Sequence, residues 1–277
     1  MSKQPIVFIS AGHGGSDPGA VGNGLLEKNI NLQIALADGA VLERHGIKVI
    51  YSRTKDEYDP VGQEVREANA SGAILAVSHH TNSTGGVKAD GSETFYHSSD
   101  ANGKRLAEMM EEETKKLGQN SRGTRSRNDL YFIRATNMTA VLTESAFINN
   151  AADISILDTV KEQQAFGQAY AKAILRHLGI TYKPVTTSQS TTGKVETVKV
   201  DYAKSFNKKY ARTYTVKSSD GLNMRAGANT SKTLIKNVAN GEKVQCYGYF
   251  TKEVDGTIWL LVSYKGYTGF MSMGYLK

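Results

Sequence analysis

The sequence of 277 residues lacks the features that mark several large protein classes. It contains a single cysteine, Cys246, so no disulfide can form within the chain. No run of about 18 apolar residues occurs, and therefore no membrane-spanning helix is predicted. The amino terminus, MSKQPIVFIS, has no apolar signal-peptide core, so no export signal is expected. These absences favour globular domains that are held together by hydrophobic cores.

Charge is distributed unevenly along the chain, whose length favours two domains. Residues 1–182 contain 19 Lys and Arg against 21 Asp and Glu, a net charge of −2. Residues 183–277 contain 15 against 6, a net charge of +9. The basic second half predicts a polyanionic partner, for which nucleic acid and an anionic cell wall are both candidates.

Strand and helix patterns alternate through the first 182 residues. The apolar periodicity predicts strands at 5–10, 47–52, 73–80, 92–97, 130–133 and 140–144. It predicts helices from Glu27 onward, near 62–69, at 102–117 and at 160–178. Such alternation is typical of an α/β domain, with a mostly parallel twisted sheet flanked by helices.

The pattern changes after residue 182. KPVTTSQSTTGK (183–194) is rich in Ser and Thr and nearly free of large apolar residues, which predicts a linker. Farther on, the short strand patterns LNMR, EKVQCYGY, IWLLVSY and YTGFMS alternate with Gly turns, as in a small all-β barrel. We therefore expect a first domain at 1–182, a linker at 183–200 and a second domain at 201–277.

Four side chains suited to metal-dependent hydrolysis fall at positions that this fold would bring together. His13 follows the first predicted strand, whereas His80 and Glu144 end later ones. Because function gathers outside the carboxyl ends of strands in open α/β sheets, these three should share one rim. Glu27 opens a helix and lies on its apolar stripe, together with Ile30, Ile34, Ala37 and Val41. A carboxylate on such a stripe needs a partner, and a metal ion would serve.

Two His and one Glu form a standard ligand set for catalytic zinc, which keeps a fourth position open for water. A separate carboxylate can then take the proton of that water and pass it to the leaving amine. The pair His79-His80 requires a choice, because successive strand residues face opposite sides of a sheet. Periodicity alone does not decide which of the two faces the site.

Residues 5–180 resemble the zinc-dependent N-acetylmuramoyl-L-alanine amidases of type 3. The resemblance is carried, in order, by AGHGGSDPGAVG with LLEKNINL, SRTKD, SHHTNS and NDLYFIRATNMTAVLTESAFINN. It implies Zn²⁺ as cofactor, His13, Glu27 and His80 as metal ligands, and Glu144 as the catalytic residue. The chain departs from the family pattern at Thr139, where Pro is usual, and at His79, where an apolar residue is usual.

The last part of the chain resembles a bacterial SH3 domain. The matching stretches are LNMRAG, NGEKVQCYGY, WLLVSYKGYTGF and the final GYLK. Such modules usually bind cell-wall components. An amidase followed by this module, without an export signal, is similar to a bacteriophage endolysin, although bacterial autolysins share both modules. The resemblance implies synthesis in the cytoplasm of a bacterial host and action on its wall, of Gram-positive type, after release.

These resemblances imply a peptidoglycan hydrolase that cleaves the amide between N-acetylmuramic acid and L-alanine by zinc-activated water. Its expected partners are the stem peptide and glycan of peptidoglycan, together with anionic wall polymers. No nucleic-acid partner is expected, because the basic half lacks a helix with clustered Lys and Arg or a readout motif. A zinc-dependent wall endopeptidase is the alternative. A non-catalytic wall-binding protein is a third possibility, but it would require a degenerate site.

Other polar residues have a structural interpretation beside the functional one. AGHGGSDPG lacks the pattern of a phosphate-binding loop. His45 and His177 are expected near helix ends exposed to solvent, and His97 is expected to be structural. Arg122, Arg125 and Arg127 could bind peptide carboxylates of the substrate or belong to a solvated loop, and the sequence favours neither.

Overall fold

A computed structural model describes residues 4–85, 89–184, 200–201, 203–264 and 267–277. The chain divides into two compact units, Met1–Thr186 and Thr187–Lys277. Most of the predicted linker lies outside the described residues, so the predicted domain bounds stay a prediction. Among the described residues, no helix has the length and apolar character needed to cross a membrane.

The first unit is an α/β domain built on a six-stranded sheet. Its described strands are β1 (Ile6–Ala11), β2 (Val21–Gly22), β3 (Leu25–Leu26), β4 (Lys48–Tyr51), β5 (Leu75–Asn82), β6 (Ser92–Tyr96), β7 (Ser121–Ser126) and β8 (Thr139–Phe147). Its described helices are α1 (Glu27–Arg44), α2 (Val61–Ala70), α3 (Ala101–Lys115), α4 (Tyr131–Ala135), α5 (Ala151–Ile154) and α6 (Val160–His177).

The sheet has the order β4-β1-β5-β8-β6-β7, and β2 pairs with β3 in a separate hairpin. All neighbours in the large sheet are parallel except β6 and β8, which run antiparallel. The predicted α/β domain with a mostly parallel sheet is therefore confirmed. Since β1, β5 and β8 run in the same direction, their carboxyl ends meet at one edge, where His13, His80 and Glu144 were predicted to gather.

Helices cover the sheet on both faces. On one face, α2 and α4 contribute Val65, Ala68 and Phe132 to a core cluster with sheet residues Phe8 and Ala76. On the other face, α1 and α6 pack against each other, and α1 also contacts β1 and β5. The apolar stripe of α1 is largely buried, as expected for a helix packed in this way: Ile30, Ile34 and Val41 are at most 4 % exposed.

Two local predictions in the first unit differ from the structure. The predicted strand at 130–133 is wrong, because α4 spans Tyr131–Ala135. LYFI is apolar enough for a strand, but helical spacing lets Phe132 reach the cluster of α2, while Ile133 packs on Phe95 and Leu142. The segment SRGTRS, for which the sequence left a solvated loop open, forms the edge strand β7. The short elements β2, β3 and α5 were not predicted.

The second unit is all-β. It contains β9 (Ser205–Thr215), β10 (Leu222–Arg225), β11 (Leu234–Val238), β12 (Lys243–Lys252), β13 (Ile258–Tyr264), β14 (Tyr267–Ser272) and a 3₁₀ turn at Met273–Tyr275. The strands are antiparallel in the order β11-β10-β14-β13-β12-β9. Their inner residues form one apolar core, which includes Met224, Val244, Leu260 and Met271. The four predicted strands of this unit are present, whereas β9 and β11 were not predicted.

Candidate metal centre

His13 lies in a tight Gly-rich loop directly after β1. Its backbone is in the left-handed region, with a φ of 65°. The guanidinium of Arg53, which is 2 % exposed, donates to the carbonyls of Ala11 at 2.7 Å and of Gly12 at 3.2 Å. A side chain at position 12 would meet the His80 ring, because a Cβ built there lies 2.3 Å from Nε2. Glycine at 12 therefore lets the loop approach the end of β5.

Three predicted ligands converge at the carboxyl edge of the sheet. Glu27 Oε1 lies 3.2 Å from His13 Nε2 and 3.0 Å from His80 Nδ1. One ligand atom from each of these residues lies within 4.8 Å of the other two. Two imidazole nitrogens and one carboxylate oxygen form a standard ligand set for zinc. Such a set leaves one coordination position of the metal open for water. The arrangement of the side chains thus fits a metal ion.

The electrostatics of the cluster suit a bound cation. Burial disfavours the charged form of Glu27, but hydrogen bonds with His13 and His80 outweigh it and hold the pKa of Glu27 well below its usual range. Burial also opposes a charge on His13, yet Glu27 and Asp17 raise the pKa of His13 to about 9. Because a metal ligand must be deprotonated, metal binding at neutral pH would release a proton from His13.

Two residues that were not predicted from the sequence hold the candidate ligands in place. Asp17 Oδ2 lies 2.8 Å from His13 Nδ1, so it orients the ring with Nε2 toward the cluster. Asn31 donates to Glu27 Oε1 at 3.2 Å and to the Gly12 carbonyl at 3.2 Å. A spacing of four residues, from His13 to Asp17 in the loop and from Glu27 to Asn31 on the helix, was the available signal.

Glu144 lies beside the cluster on the neighbouring strand. It is the register partner of His80 across β5 and β8, and of Glu93 across β8 and β6. Its Oε2 atom is buried and has no hydrogen-bond partner within the described part of the chain. Burial, reinforced by the negative charges of Glu27 and Glu93, raises the pKa of Glu144 well above its usual range. A carboxylate oxygen without a partner, next to three candidate metal ligands, is suited to exchange a proton with a reactant.

His79 faces the opposite side of the sheet from His80. Its Nε2 lies 2.9 Å from Asp38 Oδ2 on α1, and its Nδ1 lies 3.0 Å from Thr143 Oγ1. The ring also stacks on Tyr170 at 5.1 Å. These contacts occupy both ring nitrogens inside the core, so the strand alternation brings only His80 to the cluster.

The remaining candidates lie apart from the three-residue cluster. Arg122 and Arg125 approach Glu93, and Arg127 pairs with Asp129. His97 contacts Ser99. His177 ends α6. His45 lies at the C-terminal end of α1, as expected, but it is only partly exposed, stacks on Tyr182 and accepts a hydrogen bond from the Lys183 backbone.

Comparison with known families gives two matches. Residues 7–176 match a family model described as N-acetylmuramoyl-L-alanine amidase, and residues 220–277 match one described as bacterial SH3 domain. The first match covers more than half of the chain and contains all four predicted site residues.

Individual relatives agree with the first match. The chain is 38 % identical over 174 residues to N-acetylmuramoyl-L-alanine amidase LytC of Bacillus subtilis, covering 60 % of this chain and 35 % of that protein. It is 35 % identical over 191 residues to the endolysin of Bacillus phage SPP1, covering 66 % of this chain and 69 % of that protein. The solved structure of amidase AmiC2 of Nostoc punctiforme matches with a TM-score of 0.61 and 32 % identity, over 65 % of this chain and 99 % of that one. The chain thus spans about a third of the length of LytC.

Proposed function

The chain belongs to the N-acetylmuramoyl-L-alanine amidase family, and from this premise we propose that it hydrolyses the amide between N-acetylmuramic acid and L-alanine in peptidoglycan. We propose His13, Glu27 and His80 as ligands of Zn²⁺ and Glu144 as the general base. The observation that carries the proposal is the convergence of these three residues beside Glu144, whose buried Oε2 has no hydrogen-bond partner within the described residues.

Bound zinc would supply Lewis acidity, which polarises the amide carbonyl and makes water more acidic. The chain's own residues then determine the path of the proton. Glu144 takes a proton from the attacking water as its oxygen bonds to the carbonyl carbon, and returns the proton to the amide nitrogen as the C–N bond breaks. The products are a carboxyl group on the muramic acid and a free L-alanine amino terminus. Asp17 and Asn31 keep His13 and Glu27 oriented throughout.

We propose that the second unit attaches the enzyme to the wall through peptidoglycan and anionic wall polymers. The bacterial SH3 match and the net charge of +9 on residues 183–277 support this role. Similarity to the SPP1 endolysin over 69 % of its length supports action as an endolysin, made in a bacterial host and reaching the wall on release.

Mass spectrometry of digested walls tests the reaction. We expect free L-alanine amino termini with intact stem peptides. New termini inside the peptide would instead identify an endopeptidase. No cleavage by folded, zinc-loaded protein would leave only a wall-binding role.

Two controls test the proposed roles of the site residues. A strong chelator should abolish hydrolysis and added Zn²⁺ should restore it, whereas full activity of metal-free protein, verified by elemental analysis, would refute the metal mechanism. Glu144→Gln cannot accept the proton, so activity should fall by about 10²- to 10⁴-fold with zinc retained. Loss of zinc from that variant would show that Glu144 is a ligand.

A further inference from the structure

Two arginines of the edge strand β7 converge on one buried carboxylate that the proposed reaction does not use. Arg122 Nε lies 3.5 Å from Glu93 Oε2, and Arg125 Nε lies 3.6 Å from the same oxygen. The other oxygen, Oε1, accepts a hydrogen bond from Asn82 Nδ2 at 3.0 Å. The Glu93 side chain is only 6 % exposed, so it is held in place beneath the two arginines. We call Glu93, Arg122 and Arg125 the arginine cluster.

A bulge in β7 creates this convergence. Residues three apart in a regular strand face opposite sides of the sheet, so Arg122 and Arg125 would diverge. In the β6–β7 ladder, Ser92 pairs with Ser121 but Thr94 pairs with Thr124, which leaves two β7 residues opposite Glu93. One of these, Gly123, has a φ of 81°, in the left-handed region that glycine adopts without a steric penalty. The bulge reverses the alternation and directs both arginines to Glu93.

The arginine cluster lies in line with the proposed catalytic residues. Glu93 is the register partner of Glu144, which is in turn the register partner of His80. Neighbouring strands are about 4.8 Å apart, so Glu93 is about 10 Å from His80 along this row. An extended peptide advances about 3.3 Å per residue. If a substrate peptide extends from the scissile amide along this row, its second or third residue lies beside the arginines.

The charges of the arginine cluster do not cancel. Two guanidinium groups face the one carboxylate of Glu93. Arg122 also donates to the Asp90 carbonyl at 3.4 Å and interacts with the charge of Asp153, so the charge left without a counter-ion is mainly that of Arg125. Arg127 differs, because Asp129 neutralises it through two hydrogen bonds of 2.8 Å. Within the described residues the Arg125 side chain forms one ion pair, from Nε to Glu93, and it is 55 % exposed. Its terminal nitrogens therefore remain for a ligand, in the planar fork that matches a carboxylate.

We propose that Arg122 and Arg125, oriented by Glu93, bind a carboxylate on the peptide side of the scissile amide. The substrates favoured by this subsite are acidic peptides with a free carboxylate on the residue that follows the L-alanine. The inference rests on the proposed function, because it assigns the row from His80 to Glu93 as the peptide path. Of the two interpretations that the sequence left open, the proposal adopts substrate binding for Arg122 and Arg125.

Binding of product-side peptides tests the subsite without requiring hydrolysis. The probes are two peptides with a free L-alanine amino terminus and an amidated carboxyl terminus, which differ only in a carboxylate or a carboxamide on the second residue. Calorimetry with the zinc-loaded full chain should show about 10-fold tighter binding of the carboxylate, as expected for a charge-assisted hydrogen bond. Added salt should reduce this preference, since half-exposed charges are screened.

Variants then locate the preference. Arg125→Gln and Arg122→Gln should each reduce it, and the double variant should abolish it without weakening binding of the carboxamide. Arg125→Lys should retain part of it, because the charge stays while the fork is lost. Arg176→Gln is the matched control, since Arg176 lies on α6 and pairs with Glu112. Equal binding of both peptides by the unmodified chain, or a preference that survives in the double variant, would overturn the inference.

The proposed function is tested separately with the same protein preparation. The measurement is hydrolysis of an N-acetylmuramoyl peptide that carries the carboxamide. If this substrate is cleaved but the carboxylate preference is absent, the subsite fails alone. If the preference is present but no muramoyl peptide is cleaved, the proposed function fails and the arginine cluster remains a carboxylate site.

Discussion

At the scale of single residues, two consecutive histidines have opposite roles. His80 joins Glu27 at 3.0 Å, whereas His79 lies in the core against Asp38, which is fully buried. Burial raises the pKa of Asp38, and the hydrogen bond from His79 works in the other direction. One histidine of the pair therefore serves the proposed metal site, and the other stabilises the fold behind it.

This difference predicts distinct defects in two alanine variants. His80→Ala should lose zinc while the protein stays folded, because a proposed ligand at the sheet edge is removed. His79→Ala should keep zinc near one equivalent per folded molecule but lower the free energy of unfolding by about 2 to 4 kcal/mol, since Asp38 loses its buried partner. Elemental analysis and thermal unfolding measure the two effects. Zinc loss in His79→Ala with full retention in His80→Ala would reverse the assignment.

Asp59, between β4 and α2, is expected to lower the free energy of unfolding in a pH-dependent way. Both carboxylate oxygens are buried and lack a hydrogen-bond partner within the described part of the chain. Burial, with the nearby charges of Glu64, Glu67 and Glu57, raises the pKa of Asp59 to about 7. The folded state thus holds this proton more tightly than the unfolded state, and stability must fall as pH rises through the interval between the two pKa values.

We therefore expect Asp59→Asn to stabilise the first unit by about 1 kcal/mol or more at about pH 8, and to have little effect at about pH 4. Far-ultraviolet circular dichroism during denaturation follows this unit, because its helices dominate the signal. Trp259 lies in the second unit, and its fluorescence should show no change, which provides an internal control. A variant that is less stable at the higher pH would contradict the sign of this effect.

At the scale of elements, α6 begins with a reciprocal cap. Thr159 Oγ1 accepts a hydrogen bond from the Glu162 backbone at 3.1 Å, and Glu162 Oε2 accepts one from the Thr159 backbone at 3.0 Å. The two contacts satisfy backbone donors that the first helical turn leaves unpaired. The cap fixes the start of a helix that packs on α1 behind the proposed site.

Thr159→Ala should therefore lower the free energy of unfolding by about 1 kcal/mol. Glu162→Gln is the matched control, since an amide oxygen can still accept from the Thr159 backbone. Both variants should bind zinc normally, because the cap is not part of the cluster of His13, Glu27 and His80. A loss for Glu162→Gln as large as that for Thr159→Ala would show that charge, rather than the cap, is responsible.

At the scale of the whole molecule, the two compact units should separate in function. Tyr182 stacks on His45, and the Lys183 backbone donates to the same ring at 2.8 Å, so a truncated chain should extend to Pro184. We expect this truncated chain to fold and to hydrolyse soluble muropeptides. It should bind intact walls more weakly, because the segment of net charge +9 is missing.

A wall pull-down of both chains across a salt series measures this effect. Added salt should weaken the electrostatic part of the binding of the full chain to walls. Attachment that resists salt would indicate specific recognition by the second unit. If the truncated chain binds walls as well as the full chain, the second unit is not the anchor.

Sequence periodicity predicted the secondary structure correctly where that structure depends on the local pattern of apolar residues. It predicted that Glu27 opens a helix, that most of the sheet is parallel, and that β10, β12, β13 and β14 form part of an all-β unit. It failed at α4, where a short apolar segment satisfies both strand and helix patterns and contacts with Phe8 and Phe95 select the helix. It also missed Asp17 and Asn31, whose partners become apparent only when the loop and helix meet.

The sequence by itself determined which chemical groups end the strands and which side chains alternate along them, because this alternation is a consequence of local backbone geometry. The resemblance added that His80 is the ligand, but only the tertiary structure showed what the neighbouring His79 does, since Asp38 and Tyr170 come from other elements. The bulge that directs Arg122 and Arg125 to Glu93 was likewise decided by strand pairing. Register between strands depends on contacts distant in sequence as well as on the local hydrophobic pattern, so the local pattern alone did not reveal the bulge.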